Sequence, residues 1–257
     1  MAQSEIDAVR ALLTSKPRPV GWAERRKRLD EVGSVWPVAD DVQLTAVDIN
    51  GAPGEYSMVP GSDPSRVLMF FHGGGYCSGS IQSHRRLVTE VGRAARMRTF
   101  AVGYRRLAPE HPFPAAYEDA LTAWQFLRDQ RIPAAHIAIS GDSAGAGLTM
   151  ALIAWLRDAH EELPACAWLI SPWTDLTMSG LTLASKAAVD PLIHKEYLNE
   201  LADAYLPAGM DRKIPVYLRF TPSSKSFLQC LSRLVLTRPC SMIPRDLQPE
   251  SVQSKSQ

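Results

Sequence analysis

Ile137-Ala138-Ile139-Ser140-Gly141-Asp142-Ser143-Ala144-Gly145 joins a short apolar run to the pattern Gly-x-Ser-x-Gly, followed by residues of helical character as far as His160. A strand that ends in this pattern and passes at once into a helix forces its serine onto a sharp turn, with the hydroxyl exposed above the strand ends. Gly141 and Gly145 lack the side chains that would keep strand and helix apart. Ser143 is therefore the candidate nucleophile, and the N–H of Ala144 at the helix start is free to face a developing oxyanion.

Seventy-one residues upstream, the apolar run Val67-Leu68-Met69-Phe70-Phe71 ends in His72-Gly73-Gly74-Gly75. A glycine-rich loop after a buried strand can aim backbone N–H groups at an acyl oxygen with no side chain in the way. His72, Gly73, Gly74, Gly75 and Ala144 are the oxyanion-hole candidates. Strands and helices alternate around the two motifs: strand 67–71, helix 84–95, strand 99–103, helix 115–130, strand 137–140, helix 144–160, strand 165–171. That alternation predicts an α/β fold, a mostly parallel sheet with helices on both faces. In such sheets ligands lie beyond the carboxyl ends of the strands, where both motifs fall. A nucleophilic serine beside oxyanion donors predicts hydrolysis of an ester.

Ahead of the alternating region, Ile6, Val9, Leu12 and Leu13 share one face at helical spacing, and Trp22 with Arg25-Arg26-Lys27-Arg28 suggests a second short amphipathic helix. The basic run reads as a solvated helix face. The segment 42–48 alternates apolar and polar residues, Asn50-Gly51 and Pro53-Gly54 supply turn chemistry, and 55–59 pairs back as a hairpin. The expected organisation is a helical cap segment over 1–40, a core over 41–211 with a cap insertion around 175–210, and a basic tail over 212–257.

The 257 residues are 46% hydrophobic and 21% charged with a net charge of +1, which suits one globular domain and offers no overall field for nucleic acid or an anionic membrane. No apolar run approaches the length of a membrane span, and Met1-Ala2-Gln3-Ser4-Glu5 begins no signal peptide. A cytoplasmic protein is expected. Cys77, Cys166, Cys230 and Cys240 have no metal-ligand spacing and give no disulfide framework.

Four stretches, His72-Gly73-Gly74-Gly75-Tyr76, the run from Tyr104 to Ala116 containing Leu107-Ala108-Pro109-Glu110-His111-Pro112, Gly141-Asp142-Ser143-Ala144-Gly145, and Ser171-Pro172-Trp173-Thr174-Asp175-Leu176, closely resemble the bacterial hormone-sensitive-lipase-like esterases. The resemblance covers roughly residues 1–211 and has the flavour of the acetyl hydrolases and monoterpene lactone hydrolases. It implies an α/β-hydrolase fold, an N-terminal helical cap, no cofactor, and small acyl esters or lactones as substrates; the cysteine spacing indicates no metal. Tyr76, Asp142 and Trp173 are the candidate substrate contacts, and a homodimer is an open assembly for the full-length form. The pair Arg105-Arg106 is one residue longer than the usual Tyr-Arg-Leu-Ala-Pro-Glu spelling.

In this fold the acid and the histidine follow the serine by about a hundred residues or more. Here the six histidines are His72, His84, His111, His136, His160 and His194, and none lies that far on. His194 reads as a pocket-wall or surface residue. Asp190-Pro191-Leu192 mimics an acid motif but sits only 47 residues after Ser143, and Asp175 is expected to be structural. Residues 212–257 hold eight Lys or Arg against two acids, whereas 1–211 hold 20 against 25. Read from the third base of each codon, with permissive synonymous choices, this segment yields strings similar to the family's C-terminal region. The last base of the Met242 codon and the first two of Ile243 must then encode Asp. The expectation is an out-of-frame C-terminus, with the acid and base missing, against the alternative of a natural basic arm. The functional alternatives are accordingly an ester hydrolase, a lactone hydrolase with the same apparatus, and a catalytically impaired binding remnant.

Overall fold

The computed structural model describes residues 3–104 and 107–212. Helices α1 (Gln3–Thr14) and α2 (Trp22–Gly33) precede the hairpin of β1 (Gln43–Ile49) and β2 (Ala52–Met58). The alternating part follows: β3 (Asp63–Phe71), α3 (Ile81–Ala95), β4 (Met97–Val102), α4 (Ala115–Asp129), β5 (Ile137–Asp142), α5 (Ala144–Asp158) and β6 (Cys166–Ile170). A one-turn helix α6 (Thr182–Ser185) and α7 (Lys195–Tyr205) complete the described chain. The strand order is β1-β2-β4-β3-β5-β6. β4, β3, β5 and β6 run parallel, while β1 and β2 are antiparallel to their neighbours.

The inner strands are apolar because both of their faces are covered. Val67 to Phe71 of β3 and Ile137 to Gly141 of β5 are all buried, as expected for parallel strands under helices on both sides. α5 is buried from Ala144 through Ala154 and again at Leu156, so it is apolar around nearly its whole circumference. Ser80 starts α3 with a capping box, its hydroxyl accepting from Ser83 N while Ser83 Oγ accepts from Ser80 N.

Two local expectations change. Pro53-Gly54 lies within β2, paired with Asp48 and Val47, so the hairpin turn is made by Asn50 (φ 51°) and Gly51 (φ 94°) alone. The basic run of α2 is not a uniformly solvated face. Lys27 is 78% exposed, but the Arg25 side chain is only 9% exposed. Arg26 reaches across to the carbonyls of Cys77, Leu107 and Ala108 and to the Glu110 carboxylate. Trp22, Arg25, Arg26 and Leu29 share the inward side of the helix by their 3–4 residue spacing, and Arg26 ties α2 to the loops that follow β3 and β4. Arg105-Arg106 and the tail from 213 lie outside the described residues, as does most of the expected out-of-frame segment. No helix among the described residues is long and apolar enough to cross a membrane.

Candidate active site

β3 and β5 are neighbours in the sheet and in register, Phe71 opposite Gly141. The loop beginning at His72 and the turn beginning at Asp142 therefore leave the sheet side by side, at the place where the chain changes direction across β3. Ser143 has φ 50° and ψ −115°, a backbone conformation that non-glycine residues adopt at a cost of about 1–3 kcal/mol. Its N–H donates to Ile170 O at 2.9 Å, and its carbonyl accepts from Gly147 N at 3.1 Å and Trp173 N at 3.0 Å. These bonds from β6, α5 and the loop beyond hold the turn in place.

The glycines are required by contact. A Cβ on Gly141 would stand 2.5 Å from Gly145 C, and one on Gly145 would stand 2.0 Å from Phe71 O. Gly74 (φ 115°) and Gly75 (φ 66°) occupy left-handed backbone, and a Cβ on Gly74 would meet Ser78 O at 2.2 Å. Gly73 N donates to Asp142 Oδ1 at 2.8 Å. That N–H is taken, so Gly73 leaves the set of expected oxyanion donors and becomes the attachment point of the loop. Among the described residues no acceptor meets the N–H groups of Gly74, Gly75 or Ala144. Those three remain available.

His72 is not aimed at the cleft. Its ring is buried, stacked on Tyr104 at 4.1 Å, and its Nδ1 donates to Gly73 O at 2.9 Å. Burial, with His84 close by, pushes its pKa down to about 3. It is a neutral prop under the glycine loop. Tyr76 is likewise buried, stacked on Tyr205 at 3.9 Å and inclined to Trp173 at 6.0 Å. It backs the site and does not line the cleft. Trp173, Asp142, Ser143, Gly74 and Gly75 do line it, in a cavity of about 590 Å³ whose outer wall comes from α1, α2, residues 191–194 and α7.

His84, unassigned in the sequence reading, lies at this site. Its Nε2 stands 3.2 Å from Asp142 Oδ1 and its Nδ1 lies 2.8 Å from Ser83 Oγ. Asp142 thus accepts from both the glycine loop and α3. Burial raises its pKa, but the bond and charge of His84 and the Gly73 N–H outweigh this and leave it below the usual carboxylate range. Asp142→Ala is expected to lose about 2 kcal/mol and lower the melting midpoint by roughly 5 °C at pH 7. A carboxylate with a depressed folded-state pKa stabilises fully above its unfolded value of about 4 and loses that contribution as pH falls through the folded value. Melting curves of wild type and variant should therefore converge in acid.

All six histidines belong to the described residues, and none hydrogen-bonds Ser143. His84 has both ring nitrogens occupied, His136 Nδ1 contacts Ser65 O, and His194 lines the cleft from the start of α7. Asp190 accepts from Leu192 N and Ile193 N, closing a turn. Asp175 accepts from the N–H and hydroxyl groups of Thr177 and Ser179. Burial pushes Asp175 up, yet these four bonds hold it at about 2. No group of three or more His, Cys, Asp or Glu among the described residues is placed to hold a metal.

A serine on a strained strand-to-helix turn, facing unpaired backbone donors from a neighbouring glycine loop, is the apparatus of the serine hydrolases. The chain belongs to the α/β-hydrolase fold family, whose model matches residues 68–240 and so runs on into the basic segment. It is 36% identical over 225 residues to an acetyl-hydrolase of Streptomyces hygroscopicus, covering 84% of this chain and 72% of that one. An ethyl acetate hydrolase of Pseudomonas putida is 39% identical over 191 residues, covering 71% and 58%. A crystal structure of an esterase from the bacterial hormone-sensitive lipase family superposes with a TM-score of 0.80 at 35% identity, covering 84% of this chain and 73% of that one.

Proposed function

We propose that this chain is a carboxylic-ester hydrolase by descent, directed at small acyl esters. The observation that carries the reading is Ser143 at φ 50° with the unpaired N–H groups of Gly74, Gly75 and Ala144 beside it. Ser143 Oγ attacks the acyl carbon, the three N–H groups receive the oxyanion, the alcohol leaves, and water then releases the acyl group from the serine. The names of the relatives, an acetyl-hydrolase and an ethyl acetate hydrolase, fit a short acyl group.

Each proton transfer in that sequence needs a base, and no histidine of the chain hydrogen-bonds Ser143. This favours a second reading, in which the nucleophile and oxyanion donors are kept while turnover is impaired for want of the base. The out-of-frame reading of 212–257 accounts for that want. Intact mass of the protein from its native source tests it: 28.3 kDa supports this C-terminus, and a mass several kDa higher supports a complete triad. Reaction with a fluorophosphonate separates the functional readings. Slow, stoichiometric labelling that Ser143→Ala abolishes supports an unassisted nucleophile, rapid labelling supports a complete hydrolase, and none at Ser143 overturns both.

A further inference from the structure

The cleft around Ser143 has a one-sided charge. Lys16, Arg18, Arg25 and Arg28 line it, and among the described residues the one carboxylate in its lining is Asp142, already bonded to Gly73 N–H and His84. Asp190, next along the chain from the lining residues 191–194, is engaged by its own turn.

The Arg25 side chain is nearly enclosed, 9% exposed. Its Nε donates to Pro19 O at 2.7 Å and its Nη2 pairs with Glu200 at 2.9 Å, but Nη1 is buried with no hydrogen-bond partner among the described residues. A guanidinium offers five N–H donors in a fixed fork, and buried donors of folded proteins nearly always have acceptors. The orphan here belongs to a residue that lines a cleft. Arg25 stands over the Trp22 ring at 4.6 Å and 5.7 Å from the centre of Tyr197, whose ring also carries Arg18 at 3.4 Å. Arg18 is fixed in turn by its bond to Leu192 O. Two guanidinium groups are thus held about one ring by aromatic faces and carbonyls, and Arg25 is also paired with the half-exposed carboxylate of Glu200. Such planar, restrained guanidiniums suit the bidentate capture of an oxyanion.

We infer that the cleft selects esters whose non-reacting end carries a carboxylate, held by Arg25 with Arg18 beside it, while the acyl carbon lies at Ser143. The inference rests on the reading of Ser143 as an ester-directed nucleophile, and it adds the class of ester.

Binding tests it without turnover. The probes are 6-oxoheptanoate, a ketone isostere of an acetyl ester with a terminal carboxylate, and its uncharged amide, 6-oxoheptanamide, titrated calorimetrically into the full chain. The acid is expected to bind about tenfold or more tightly than the amide, with a preference that shrinks as salt is raised. It should fall to within about twofold in Arg25→Gln and weaken in Arg18→Gln, while Ser143→Ala retains it. Equal affinity for acid and amide in the unaltered chain overturns the inference. So does a preference that survives in both arginine variants, and the Arg18 variant keeps the test open if Arg25→Gln does not fold. An anion preference in a chain whose Ser143 is never labelled leaves the carboxylate site standing but removes the ester class together with the esterase reading; labelling without the preference overturns the inference and leaves the esterase reading in place.

Discussion

p-Nitrophenyl acetate is expected to turn over about 10⁴-fold or more slowly on this chain than on an esterase whose serine is hydrogen-bonded by a histidine. Added imidazole should recover part of the deficit. Three backbone donors stand ready for the oxyanion, Ser143 lines a cavity of about 590 Å³, and no histidine hydrogen-bonds its hydroxyl. A serine hydroxyl at neutral pH needs a proton acceptor more than it needs further binding energy. Imidazole is small enough to enter the cleft and titrates near neutrality. Because it also cleaves activated esters in free solution, the informative quantity is the imidazole-dependent rate in excess of Ser143→Ala. A fast, imidazole-independent rate with a bell-shaped pH profile would show that the chain has a base of its own, and His84 and His194, which line the cleft, would be the residues to replace.

Gly145→Ala is expected to cost about 3 kcal/mol, and roughly 10 °C of melting temperature in a domain of this size. The added methyl would lie 2.0 Å from Phe71 O and 2.6 Å from His72 O, both backbone atoms of the central strand and its loop. No side-chain rotation relieves that clash; α5 has to move off β3. Gly180→Ala is the control, because its Cβ meets nothing within 4 Å and a change within about 0.5 kcal/mol is expected. Thermal unfolding of the two variants against wild type decides it, and equal melting temperatures would mean that the elbow is looser than its contacts imply.

The runs at 67–71 and 137–140 announced the buried strands, and the glycines at 73–75, 141 and 145 announced the two turns. Those features are local, so a sequence states them directly. What escaped depends on which faces meet after folding. His84 is one polar residue on an amphipathic helix, and nothing in its neighbours says that the carboxyl end of β5 places Asp142 3.2 Å away. Gly73 reads as an oxyanion donor until the same carboxylate is seen to occupy its N–H. The basic run 25–28 has the composition of a solvated face, yet helix period turns Arg25 and Arg26 inward and leaves Lys27 outside. Tyr76 adjoins the glycine loop in sequence, but stacking on Tyr205, 129 residues on, draws it away from the cleft.

The two halves of the cleft come from separate stretches of chain. The oxyanion donors and the nucleophile belong to 74–75 and 143–144, anchored in the sheet, whereas the cationic wall belongs to 13–32 and meets the rest through Arg26, Arg18 and Tyr197. If Arg25 and Arg18 choose the ligand as inferred above, chemistry and choice of ligand are separable inheritances. A chimera that carries another relative's first forty residues should exchange one ligand preference for another while Ser143 and its donors keep their geometry.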